Sequence, residues 1–253
     1  MFHIKYPVGS FLVFTVVVGM AILPAAADTV TWTGHGDGES WSDGDNWSGG
    51  QEPGSDDDVI HDNADIILMD VGTPANPEII KSLTVDGEAG GGLVVQQGKG
   101  LRIKGDFENT NTDEAYGYEQ TMKPNSLVWI TGELVFAAHD LVRVNVSIEP
   151  VTSGSPTELI VTGAIVGGDF EVNTNGIVTV GTSSGPDRSE LWGTWRLDAA
   201  QATFAKAQGI VETPLRLTLA NGAACLFSPG PTVALSMSGF LCASVPLWFT
   251  NHS

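Results

Sequence analysis

Leu127-Val128-Trp129-Ile130, Val142-Arg143-Val144-Asn145-Val146, Glu158-Leu159-Ile160-Val161, Phe170-Glu171-Val172 and Ile177-Val178-Thr179-Val180 follow one another across positions 127–180. Each run is short, rich in β-branched residues and bounded by Gly, Asn, Asp or Pro, the pattern of half-buried strands. Val128, Val144, Val161 and Val178 follow one another at steps of 16, 17 and 17. Upstream, Ile67, Leu83 and Leu101 sit in similar runs at steps of 16 and 18. An even step is the mark of a solenoid. It predicts an all-β fold, a right-handed parallel β-helix. The alternative is an antiparallel β-sandwich, because the intermediate runs at Leu93 and Val135 bring the strand spacing near the roughly 8–12 residues expected there.

Working outward from these runs, Gly105-Asp106-Phe107-Glu108-Asn109-Thr110 returns in part as Gly168-Asp169-Phe170-Glu171-Val172-Asn173-Thr174, at a step of 63. At the predicted rhythm that gap is three or four coils. The polar stretch 108–125 breaks the rhythm and reads as a loop thrown out from one corner, where recognition is usually placed. One stretch is helix-like: Leu197, Ala200, Phe204 and Ala207 fall at helical spacing, and Gly209 is a natural stop. The predicted organisation is a signal peptide at 1–27, an acidic Trp-rich cap at 28–65 and a solenoid body at 66–198. A short helix and an apolar, uncharged end fill 199–253.

The signal reading rests on Lys5, an apolar run from Phe11 to Leu23, then Pro24 and Ala25-Ala26-Ala27 before Asp28. That run is too short for a bilayer span, which needs about 20 residues. Cleavage after Ala27 removes Lys5 with the signal and leaves 30 acidic side chains against ten basic ones, a formal charge of −20. Such a surface repels nucleic-acid phosphates and anionic membranes, so neither is an expected partner, and no stable membrane span remains after cleavage. The charge is uneven: the stretch 28–70 holds twelve Asp and Glu with no Lys or Arg, whereas 217–249 holds no charge. Both cysteines, Cys225 and Cys242, lie in that uncharged end. In an oxidising compartment they can pair, or remain two inert buried thiols.

The most distinctive stretch lies near the mature N-terminus: Thr31-Trp32-Thr33-Gly34, Gly36-Asp37-Gly38-Glu39-Ser40-Trp41-Ser42-Asp43, Asn46-Trp47-Ser48-Gly49-Gly50, then Pro53 and Asp56-Asp57-Asp58-Val59-Ile60. It resembles the segment that opens many large bacterial exported β-helix and repeat surface proteins: W-x-G, then G-x-x-W-x-D-x-x-N-W, then G-x-x-P-x-x-x-D-D-V-x-I. The resemblance covers positions 30–60. It implies export and a cap on the first coil, and it carries no catalytic residue. The cap is physically reasonable, since the first coil of a solenoid exposes an apolar cross-section that large rings can cover.

Six kinds of chemistry come into question. Asp37, Glu39, Asp43, Asp45 and Asp56-Asp57-Asp58 offer oxygens of the kind calcium takes, but without the spacing of an EF-hand loop, and we read them as turn-forming, solvated carboxylates. Trp32, Trp41 and Trp47 can stack on sugar rings, yet read better as the buried cap. Lys99, Arg102 and Lys104 form the basic cluster, with Arg102 and Lys104 on one face of a strand and no acidic row evident beside them; a solvated face is the preferred reading. His35, His61, His139 and His252 show no zinc spacing, no Gly-x-Ser-x-Gly elbow is present, and Gly90-Gly91-Gly92 lacks a Gly-Lys-Ser/Thr ending. No catalytic, cofactor-binding or metal-binding residue is therefore expected.

The functional expectation is an exported, non-catalytic β-solenoid that contributes to the cell surface or binds extracellular material, with extracellular polysaccharide or cell-surface components as its partners. The alternative is a carbohydrate-active β-helix enzyme resembling polysaccharide lyases. Export makes a direct prediction: N-terminal sequencing of the exported protein should begin at Asp28, and recovery of an intact Met1 from a membrane pellet would contradict it.

Overall fold

The computed structural model describes residues 28–86, 91–110, 119–136, 146–151, 153–166, 170–172, 176–180, 189–191, 194–198, 201–204, 207–209, 216–220 and 224–227. Its chain climbs through strands in threes. After β1 (Thr29–Thr31), the first coil holds β2 (Asp58–His61), β3 (Ile66–Met69) and β4 (Glu78–Ile80). The second holds β5 (Ser82–Val85), β6 (Gly92–Val95) and β7 (Gly100–Ile103). The third holds β8 (Phe107–Asn109), β9 (Glu119–Met122) and β10 (Leu127–Ile130), and the fourth β11 (Leu134–Phe136), β12 (Val146–Ile148) and β13 (Thr157–Val161). Then come β14 (Ile165–Val166), β15 (Phe170–Val172) and β16 (Gly176–Val180), followed by β17 (Ser189–Leu191), β18 (Thr194–Asp198) and β19 (Gln201–Phe204). The last are β20 (Ala207–Gly209), β21 (Arg216–Ala220) and β22 (Ala224–Phe227).

Every third strand is a neighbour. The first face runs β1-β2-β5-β8-β11-β14-β17-β20, the second runs from β3 to β21 and the third from β4 to β22. All pairings between these strands are parallel. Parallel partners need a long crossover between them, and here the other two strands of each coil supply it. The protein is a three-faced parallel β-solenoid, and the sandwich is excluded.

Alternation within each strand sends every second side chain inward, where register stacks like on like. On the first face the inward row is Val59, Leu83, Phe107, Leu134 and Ile165. On the third it is Ile80, Ile103, Ile130, Val161 and Val180. All of these are buried. Polar side chains share the interior as well: His61 stacks on Val85, Asn109 between Val85 and Phe136, and Gln120 between Leu93 and Val146.

The corner from the third face to the first is made of stacked glycines. Gly105 N–H donates to the Lys81 carbonyl at 2.6 Å, Gly132 to Gly105 at 2.9 Å and Gly163 to Gly132 at 3.0 Å. A Cβ on Gly132 would lie 2.6 Å from the Gly105 carbonyl oxygen, and one on Gly163 would run into that of Gly132. The requirement is steric. At the second-to-third corner it is conformational: Gly72, Gly98, Asn125 and Gly154 all have positive φ, in successive coils. Asn125, at φ 60°, fits because Asn tolerates the left-handed region better than most side chains.

Several sequence expectations are corrected by this register. The coil step is not an even 16–17. Val59 to Leu83 and Leu83 to Phe107 are each steps of 24, Phe107 to Leu134 is a step of 27 and Leu134 to Ile165 one of 31. Ile67, Leu83 and Leu101 lie on three different faces, one on every second strand, and Val128 pairs with Leu159 while Val161 pairs with Ile130. Val144 lies outside the described residues. The two Gly-Asp-Phe-Glu copies sit on β8 and β15, on different faces and between two and three coils apart. Of the expected loop at 108–125, the stretch Glu119–Met122 forms β9, with Gln120 and Met122 buried. The predicted helix is replaced by β18, β19 and β20, and β22 carries the solenoid through Phe227. Short strands joined by short corners can space apolar residues three or four apart, which mimics a helix. The cap and body also share one sheet, since β1 and β2 open the first face.

The glycine corner yields a prediction. Gly132→Ala should lower the urea midpoint by the equivalent of roughly 1–3 kcal/mol, the usual cost of overpacking. Gly49→Ala, where a Cβ meets nothing within 4 Å, should leave it within about 0.5 kcal/mol.

Candidate functional site

The N-terminal segment closes the first coil. Trp32 and Trp47 meet edge to face at 4.9 Å between ring centroids, and Trp41 and Trp47 at 4.7 Å. Their exposures of 1, 0 and 2 % for Trp32, Trp41 and Trp47 decide between the two readings of these rings: they are core, and no sugar can stack on them. Trp32 Nε1 donates to Asp65 at 3.0 Å and Trp47 Nε1 to the Trp41 carbonyl at 2.8 Å. The backbone closes two sheet edges. β1 extends the first face, and Ser40 bridges to Leu68 on β3, with Leu68 N–H donating to Glu39 O at 2.8 Å and Trp41 N–H to Leu68 O at 3.0 Å.

Buried Asn46 ties the loop between these rings. Its Oδ1 accepts from the N–H of Gly36 and Gly38, both at 2.9 Å, and its Nδ2 donates to Asp37 Oδ1 at 2.7 Å and the Ser40 carbonyl at 3.0 Å. Asp37 also accepts from the N–H of Glu39 and Ser40, while Asp43 accepts from those of Asp37 and Asp45. The Ser40 hydroxyl, the two backbone donors and Asn46 hold the Asp37 carboxyl far below the usual Asp range.

The acidic run is occupied in the same way. Asp57 accepts from Gly54 and Asp28 N–H, Asp58 pairs with Lys81 at 2.5 Å and Asp56 with Lys104 at 2.9 Å. The Lys81 ammonium and the Ser82 hydroxyl lower the Asp58 carboxyl. An acidic group therefore does stand beside Lys104: Asp56, from the stretch just before β2. Among the described residues no group of three His, Cys, Asp or Glu is placed to hold a metal ion.

The basic cluster is divided: Arg102 faces outward from β7 on the third face, whereas Lys104 lies just beyond that strand and reaches Asp56 instead of sharing a strand face with Arg102. Outward side chains of successive coils line up on the third face as Ile79, Arg102, Trp129 and Ile160. The Arg102 guanidinium carbon lies 4.2 Å from the Trp129 ring centroid. Trp129 Nε1 donates to Thr162 Oγ1 at 3.0 Å, which fixes the ring. Lys99 sits at the corner before β7. Trp129 and Lys81 join the cluster although no local pattern marks them as site members. Their signal lies in register alone, since Arg102 and Trp129 meet across a full coil.

The histidines are dispersed. His35 is exposed on the cap, whereas His61 is buried in β2, bonded to Asn63 at 3.0 Å, and burial lowers its pKa. Gly92 opens β6, Cys225 lies on β22 in register with Ala202, and His139, His252 and Cys242 lie outside the described residues. The signal segment lies outside them as well. Among the described residues no helix is long and apolar enough to cross a membrane.

Fold and surface define the class: a Trp-capped parallel β-solenoid with an aromatic and basic strip along one face. No family model, no curated protein and no solved structure matches the chain.

The cap network predicts an acid response. Because folding depresses the Asp37 pKa, its contribution is present above the ordinary Asp range and is lost as pH falls through that range toward the folded value. Acid titration followed by tryptophan emission should show the cap loosening there, with Asp37→Asn flattening the change. Asn46→Ala, which strands the Gly36 and Gly38 donors, should destabilise at neutral pH by about 2–4 kcal/mol in urea unfolding.

Proposed function

We propose that this is an exported, non-catalytic β-solenoid of the bacterial surface that binds extracellular material, polysaccharide above all. The observation that supports it best is the way the N-terminal carboxylates are used. Asp37, Asp43 and Asp57 bond backbone N–H groups, and Asp56 and Asp58 hold lysines, so they build the cap instead of gathering around a reacting centre. The signal-like stretch 1–27, the acidic composition and the resemblance of positions 30–60 to openings of exported surface proteins support the same reading. Stacked coils present long flat flanks suited to binding without chemistry.

The rival is a polysaccharide lyase-like enzyme, favoured by Lys104 and Lys81 standing beside the acidic Asp56 and Asp58 at the edge of the face that carries Arg102. Incubating purified protein with calcium and a panel of acidic polysaccharides, while following ultraviolet absorbance of new unsaturated sugar ends, separates the two. We expect no turnover, together with retention on a polysaccharide or cell-wall column. Steady product formation that disappears in Lys104→Ala overturns the non-catalytic reading.

A further inference from the structure

Among the described residues Arg102 holds no carboxylate, although the chain carries 30 Asp and Glu. Among the described residues it makes no ion pair, in contrast to Lys81, Lys104 and Lys123, each of which holds an Asp or Glu. Its Nε is buried and has no hydrogen-bond partner, while its guanidinium rests on the Trp129 ring. Stacking on an aromatic ring leaves the edge of the guanidinium available, and that edge matches a carboxylate with two parallel N–H donors. Ile79 and Ile160 flank the pair in the same outward row. Glu158 on the same face is placed beside Leu127, two coils from Arg102 and two positions off the row. Lys81 and Lys104 neutralise Asp58 and Asp56 at its edge.

We propose that Arg102 and Trp129 form a binding site for the carboxylate-bearing sugar units of an acidic extracellular polysaccharide, Arg102 gripping the carboxylate and the Trp129 strip taking the apolar face of the ring. The site rests on the reading of the protein as one that binds extracellular material. Two features select this ligand. The free fork calls for a planar anion, and the aromatic and aliphatic strip beside it calls for an apolar surface joined to that anion. The outward row also runs along the solenoid axis, stepping by about 4.8 Å per coil, so it offers a linear track to a linear polymer.

Affinity electrophoresis of the purified protein through gels containing polygalacturonate, its methyl ester, dextran sulfate or polyglutamate tests this. Retardation is expected in polygalacturonate alone. Arg102→Ala should weaken it about tenfold or more, the usual worth of a charge-assisted hydrogen bond. Arg102→Lys, which keeps the charge and loses the fork, should recover little, and Trp129→Phe should retain more than Trp129→Ala. Unchanged urea midpoints for Arg102→Ala and Trp129→Phe show that folding is intact. Equal retardation by the methyl ester or dextran sulfate, stronger retardation by polyglutamate, no retardation of the wild type, or full retention by Arg102→Ala each overturns the site. Retention on cell-wall material without polygalacturonate binding defeats the site and leaves the broader function standing. Turnover combined with Arg102-dependent binding does the reverse.

Discussion

Backbone contact between coils at the glycine corner sets the geometry on which the rest depends. Gly132 donates to Gly105 and Gly163 to Gly132 at 2.9 and 3.0 Å, with no room for a methyl group between them. That contact holds successive coils at strand spacing and brings each outgoing strand onto its predecessor. Register follows from it, and register puts Leu134 on Phe107 and Ile130 on Ile103. The same register carries Trp129 onto Arg102 on the outside. Core and candidate site are thus two sides of one alternation.

A stack of this kind needs an end. The first coil would expose Val59, Ile67 and Ile80 in cross-section, and the three tryptophans are buried in one cluster with them. Rings alone would leave strand edges open, a known route to unwanted pairing. The cap answers with backbone as well: β1 lies along β2, and Ser40 along Leu68. Asn46 and Asp37 then fix the loop that carries Trp41, so a small polar network determines where large apolar rings sit. Carboxylates that composition alone would assign to solvation are the fasteners of this network.

Strand content, the cap and its tryptophans were legible from the chain, because β-branched runs and an aromatic cluster beside turn residues report local physics. The coil step was not. Corners vary in length, so the even spacing of Val128, Val144, Val161 and Val178 does not follow the register, in which Val128 pairs with Leu159 and Val161 with Ile130. A better signal lies in the chain: Ile103-Lys104-Gly105, Ile130-Thr131-Gly132 and Val161-Thr162-Gly163 each end a third-face strand at the glycine corner. The helix predicted over 197–208 failed for a related reason. Apolar residues spaced by three and four describe one helix turn or two strands meeting at a corner, and local sequence does not distinguish them.

Short strands, a strongly acidic composition and the concentration of tryptophan and aspartate at one end can be read from the chain alone. These are properties of single residues and near neighbours. The fold settles which strands face one another, how the three tryptophans pack edge to face, and that Asp56 and Asp58 are paired with lysines. It alone decided that Arg102 rests on Trp129 with no ion pair among the described residues. Contacts between residues a full coil apart arise from variable corners stacked in space, and apart from the glycine that recurs at one corner no local pattern records that separation.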